Sequence, residues 1–180
     1  MAEKLAATGP ARPGAVRIAE LFDAREKSAV CESILRALPE WFGIEESIVE
    51  YARDSAHMPF YAAFESAAFA NAASADAAPS GFVALKEHNA CTAELYVLGV
   101  RPQFHRRGLG SLLVDACVRR CLQSGREFLT VKTLDASREN VAYAKTRRFY
   151  AALGFRPLEV FPTLWGEENP CLFLARYLKK

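Results

Sequence analysis

The stretch Glu94-Leu-Tyr-Val-Leu-Gly-Val-Arg-Pro-Gln-Phe-His-Arg-Arg-Gly-Leu-Gly-Ser111 decides the reading of this chain. Its first half is apolar on both faces, which predicts a central strand ending at Val100. Its second half is a basic, glycine-containing turn, Arg101–Gly110, feeding a helix over Leu109–Ser124 whose apolar stripe is Leu109, Leu112, Leu113 and Ala116. Gly125 stops that helix, and a strand at Phe128–Leu134 completes a β-α-β unit. The first amides of such a helix lack intrahelical partners, and with the positive end of the dipole they favour phosphate. Gly108 and Gly110 would let backbone approach a pyrophosphate closely, with Arg106 and Arg107 as counter-charge. The end of a central strand is also where open α/β sheets bind ligands. Two glycines beside a basic pair also suit a plain turn. The spacing is neither a Gly-Lys-Ser/Thr phosphate loop nor G-x-G-x-x-G, because position 113 is Leu.

Outward from this unit, alternation predicts a first strand at Val16–Leu21 and further strands at Phe60–Glu65, Gly81–Lys86 and Ala93–Val100. Helical spacing predicts helices over Glu26–Leu38, closed by Pro39, and over Glu45–Ser55, where Ile48, Val49 and Ala52 share one side. A helix at Val141–Leu153 ends at Gly154, and Phe155–Phe161 and Cys171–Leu178 read as final strands. The alanine-rich Ser66–Ser80 reads as a long hairpin tip, and residues 1–13 as a flexible leader before one domain at 14–180. The fold class is α/β: a single-domain mixed sheet flanked by helices.

A chain of 180 residues, 51% apolar and 24% charged, suits one ordinary domain and excludes disordered, collagen-like and disulfide-scaffold classes. The net charge of +2 gives no basic field for nucleic acid. No apolar run approaches the roughly 20 residues of a bilayer span, and the N-terminus lacks a secretory signal, so the chain reads as soluble and cytoplasmic. Of the five cysteines, Cys117 and Cys121 lie one helical turn apart with no histidine nearby, so no metal is expected and the thiols read as reduced. Cys91, three residues from His88, is a sharper alternative as a nucleophile.

Two segments resemble the signatures of the GNAT N-acetyltransferase superfamily. His105-Arg106-Arg107-Gly108-Leu109-Gly110 is similar to its Gln/Arg-x-x-Gly-x-Gly/Ala loop, with His105 at the Gln/Arg position. Phe149-Tyr150-Ala-Ala-Leu-Gly154-Phe155 is similar to its aromatic-Tyr, three-residue, Gly-Phe helix end. Where the family often carries Asn, seven residues before that Tyr, this chain has Tyr143, with Asn140 almost one turn earlier. The resemblance covers residues 15–178 and implies the acyl-coenzyme A N-acyltransferase fold.

The activity implied is acetyl transfer from acetyl-coenzyme A, as co-substrate, to a primary amine that attacks directly in a ternary complex. The coenzyme would lie where Glu94–Val100 and Phe128–Leu134 splay apart, held by Leu98, Val100, His105, Arg106, Arg107, Gly108, Gly110, Ser111, Asn140 and Tyr143. Leu98 would supply a backbone N–H to the carbonyl oxygen, with Gly99 leaving room for the pantetheine arm. Tyr150 would protonate the departing thiolate. Glu94, sharing a face with Tyr96, Leu98 and Val100, is the candidate base or, alternatively, half of a cross-strand salt bridge; His88 and His57 stand behind it. Lys145, Arg147 and Arg148 are candidates for the 3′-phosphate or a solvated face. Trp165, Glu167 and Glu168 would form an acceptor wall that favours a cationic small molecule over a protein; the N-terminal helices, with Trp41 and Phe42, would form the other wall, although those two rings read as core rather than pocket. A homodimer is common in the family. The alternative function is a non-catalytic acyl-coenzyme A-binding or sensing module.

Overall fold

Alternating apolar residues build seven strands into one sheet among the residues described by the computed structural model, 16–65 and 78–178. The expected leader lies outside these residues, as does most of the Ser66–Ser80 tip. The strands are β1 (Val16–Leu21), β2 (Phe60–Glu65), β3 (Gly81–Glu87), β4 (Thr92–Val100), β5 (Phe128–Leu134), β6 (Arg156–Phe161) and β7 (Cys171–Tyr177). Their order is β1-β2-β3-β4-β5-β7-β6, so β4 takes the middle position that its two apolar faces require. Every neighbouring pair is antiparallel except β4 and β5.

Among the described residues, four helices cover the two faces: α1 (Ala24–Leu35), α2 (Glu45–Ser55), α3 (Leu109–Gln123) and α4 (Val141–Ala152). Asp23 caps α1 by accepting from the Glu26 amide at 2.8 Å. The helix stops before Leu38, and tight turns from Ala37 to Ile34 and Leu38 to Leu35 carry the chain toward Pro39. On one face of the sheet, Cys31, Ile34, Leu35 and Ile48 pack on Phe60, Phe82 and Val97. On the other, Leu109, Leu113 and Cys117 of α3 join Val83, Leu95, Leu129 and Val131, with Tyr150 and Phe155 closing that core.

β4 is not a regular strand. Val97 pairs with Ala84 and Leu95 with Leu85, so Tyr96 is an extra residue, a β-bulge. Tyr96 and Val97 therefore both pack toward α1 and α2, while Leu98 and Val100 pack toward α3. This corrects the expectation that Glu94, Tyr96, Leu98 and Val100 share one face. Pairing of β4 with β5 runs from Thr92↔Phe128 to Leu95↔Val131 and stops where the bulge begins. Past that point the two parallel strands splay.

Gly99 has a different role from the one expected. A Cβ there would come within 3.0 Å of Ile34, 3.1 Å of Phe82 and 3.3 Å of Leu38, so its missing bulk seats α1 on the sheet. Among the described residues, no helix is long and apolar enough to cross a membrane, and no group of three or more His, Cys, Asp or Glu is placed to hold a metal.

Candidate active site

A cavity of about 570 Å³ opens at the splay of β4 and β5 and runs to the start of α3. Its β4 wall carries free backbone donors. The Arg101 amide donates to Ser80 O at 2.9 Å, which sets the phase of the β3–β4 ladder. In an antiparallel ladder, bonded and non-bonded pairs alternate, so the Leu98 and Val100 groups turn away from β3. They face the side that β5 has left, and Val100 O accepts from His105 Nε2 at 2.6 Å instead.

The loop after β4 starts with a tight 3-10 turn, Pro102–Phe104, in which His105 N donates to Pro102 O at 3.1 Å. Beyond it, Arg106 (φ 65°) and Gly108 (φ 83°) are left-handed, a conformation that strains a side chain at position 106 and favours glycine at 108. Such alternation turns successive N–H groups to one side, as in anion-binding nests. The first amide of this region to find an acceptor is Leu112, on Gly108 O at 3.1 Å. The amides of Arg106 through Ser111 donate to nothing among the described residues. Gly110 has a second reason to be glycine, since a Cβ would stand 3.1 Å from the Phe149 ring of α4.

The basic residues around the loop divide into free and engaged groups. Arg107 is an ion-pair partner of Glu65, at 2.9 Å, lies over the Phe104 ring and is not among the residues lining the cavity. Arg147 donates to Leu134 O at 2.9 Å and Asp135 O at 3.3 Å, which ties α4 to the end of β5 and removes it from the phosphate candidates. Arg106, Lys145 and Arg148 line the cavity and make no ion pair among the described residues. Ser111 lines it as well.

On α4, Asn140 is not among the residues lining the cavity; it caps the helix, its Oδ1 accepting from Tyr143 N at 3.0 Å. The structure thus gives it a helix-starting role. Tyr143 does line the cavity, but its hydroxyl donates to Trp41 O at 2.8 Å. Trp41 Nε1 in turn donates to Thr146 Oγ1 at 3.0 Å. These two bonds clamp the α1–α2 connection onto α4, and the Trp41 ring meets His105 edge-on at 5.7 Å. Trp41 and Phe42, read from sequence as core, both form cavity wall.

Tyr150 is buried against Phe155 and Phe149, and its hydroxyl makes no hydrogen bond among the described residues. Burial pushes its phenol well above the ordinary range. Glu94 is also buried, yet it does not line the cavity. Its Oε1 accepts from Lys132 Nζ at 2.7 Å and its Oε2 pairs with His88 Nε2 at 2.7 Å. The cross-strand ion pair is what forms at this position. Cys91 is exposed and the other four cysteines are buried. Trp165 reaches the cavity, whereas Glu167 and Glu168 do not, and Glu168 pairs with Arg138 at 3.5 Å. His57 is likewise absent from the lining.

The sequence reading missed Tyr51. It lines the cavity, packs edge-on with Phe42 and Tyr96, and burial pushes its phenol up to about 12. Its hydroxyl has no partner among the described residues. The available signal was the α2 stripe, which runs through Ile48, Tyr51 and Ala52, while Val49 is exposed.

A family model described as the acetyltransferase (GNAT) domain matches residues 66–157. Among solved structures, the fold is similar to a GNAT-family protein from Desulfovibrio desulfuricans, with TM-score 0.71 and 18% identity over 92% of this chain and 100% of that one. It is similar to the ribosomal-protein-S18-alanine N-acetyltransferase from Escherichia coli, with TM-score 0.65 and 15% identity over 92% and 96%. An aminoglycoside 6'-N-acetyltransferase complexed with coenzyme A gives TM-score 0.64 and 18% identity over 91% and 98%. No curated protein matches the sequence.

The capping role of Asn140 has a direct check. Asn140→Ala is expected to lower stability by about 1 kcal/mol in equilibrium denaturation. An unchanged midpoint would contradict the role.

Proposed function

We propose that this chain, which belongs to the GNAT acetyltransferase family and is an acyltransferase enzyme, moves acetyl from acetyl-coenzyme A to a primary amine by direct attack with both substrates bound. One observation carries the reading: the unpartnered amides of Arg106–Ser111 stand at the end of the central strand, and all of these residues but Arg107 line the cavity. Leu109, Gly110 and Ser111 are buried or half-buried, where N–H groups without acceptors are uncommon, and diphosphate oxygens are acceptors of the right charge for a helix start. Arg106, Lys145 and Arg148, free of ion pairs among the described residues, would hold the remaining phosphate charge.

The coenzyme supplies an activated thioester. The Leu98 N–H, turned into the gap, is a donor for the carbonyl oxygen as negative charge develops on it. Tyr150 is protonated through the neutral range, as an ordinary phenol already is and burial keeps it, so its hydroxyl is a donor when the chemistry begins. It gives that proton to the departing sulfur as the C–N bond forms and the C–S bond breaks, and recovers one released by the attacking amine. Glu94 enters as the counter-ion that fixes Lys132 rather than as the base. The free thiols suit a reducing compartment, which supports a cytoplasmic location.

Two variants test this reading. Tyr150→Phe should lower kcat roughly 10²-fold in a thiol-release assay. Its melting temperature should hold or rise, because the lost hydroxyl had no partner. An unchanged kcat would remove Tyr150 from the mechanism. Ser111→Glu places a carboxylate in the first turn of α3, where it suits the helix dipole but repels phosphate. Stability should therefore hold or improve while coenzyme affinity, measured calorimetrically, falls by about tenfold or more. Equal affinity would contradict the loop assignment. Coenzyme binding without turnover of any amine would make the chain a binding module instead.

A further inference from the structure

Resting on the transfer reading above, we infer that the acceptor is a primary amine carried on an aromatic or bulky apolar body with no second positive charge. The part of the cavity beneath α1 and α2 is walled by Trp41, Phe42, Tyr51, Tyr96 and Trp165, with Lys132 on β5 beside them. No Asp or Glu lines the cavity among the described residues. Among the described residues, the two carboxylates that hydrogen-bond to its wall are already engaged. Asp54 accepts from the Tyr96 hydroxyl at 2.9 Å and from Arg53 Nε at 2.9 Å. Glu94 is shared by Lys132 and His88.

A polyamine or an aminoglycoside brings several ammonium groups, and each one taken out of water needs a carboxylate or comparable partner. This wall offers no free one among the described residues, and the Glu94 carboxylate beside it is already the counter-ion of Lys132. Ring faces hold a single ammonium well but do not replace a set of counter-ions. The sequence-based expectation of a cationic acceptor rested on Glu167 and Glu168, which stand outside the lining.

The polar tips of the wall are occupied in a telling pattern. The Tyr96 hydroxyl is bound to Asp54 and the Trp41 indole N–H to Thr146, so these residues present carbon surface to the cavity. Tyr51 keeps a hydroxyl without a partner among the described residues. Of Trp41, Tyr51 and Tyr96, only Tyr51 offers a free polar tip among the described residues, and an apolar wall with such a group orients a ligand that has an apolar body and one polar end.

The experiment compares phenylethylamine, propylamine and spermidine as acceptors in a thiol-release assay with acetyl-coenzyme A at one alkaline pH. The expected kcat/KM for phenylethylamine exceeds both others by at least about tenfold. Trp165→Ala, a change on an exposed loop, should shrink the advantage of phenylethylamine over propylamine severalfold and leave the KM for acetyl-coenzyme A within about twofold. Spermidine turned over as well as phenylethylamine would overturn the acceptor class while the transfer activity stands. An undiminished advantage in Trp165→Ala would overturn the wall assignment. Thiol release with none of the three, in protein that still binds the coenzyme, would overturn the transfer reading itself and this inference with it.

Discussion

A backbone amide that leaves a sheet must find another acceptor or remain a donor in waiting, and this molecule is organised around such donors. The extra residue at Tyr96 ends the pairing of β4 with β5 after Leu95. From there Leu98 faces a gap instead of a neighbouring strand. The same strand runs on into a loop whose left-handed residues, Arg106 and Gly108, leave another row of amides unpaired up to Ser111. Bulge and loop act together: one opens the cavity, the other lines its end with donors.

The remaining elements hold that arrangement open. Gly99 lets α1 seat closely on the sheet, Gly110 lets Phe149 of α4 approach α3, and Arg147 ties α4 to the end of β5. The Tyr143–Trp41 and Trp41–Thr146 bonds fasten the α1–α2 connection across the cavity mouth. His105, in the position where the family signature has Gln or Arg, bonds the last carbonyl of β4 through its ring. Its side chain thus braces the loop, and the anion-facing donors start one residue later.

Much of the fold was legible because it depends on local signals. The period-two strands, the α2 limits at Glu45 and Ser55 and the glycines closing α3 and α4 all follow from residue type and spacing. The order of the two motifs carried the family, which the domain match then established. What was not legible depends on pairing between distant segments. A bulge leaves no mark in the strand's own alternation, so Glu94 was placed on the wrong face relative to Leu98. Whether a cation is free or engaged depends on partners such as Glu65 for Arg107 and the Leu134 carbonyl for Arg147, far away in sequence. Tyr51 reads as one more apolar position on α2 until Phe42 and Tyr96 are folded around it.

The most direct measurement follows backbone amides by proton–nitrogen NMR while coenzyme A is titrated into the protein. The account predicts that the signals of Arg106 through Ser111 and of Leu98 move together and saturate with one dissociation constant, while His105, whose amide is bonded to Pro102, moves least in the loop. Saturable binding that leaves the Arg106–Ser111 signals in place would contradict it.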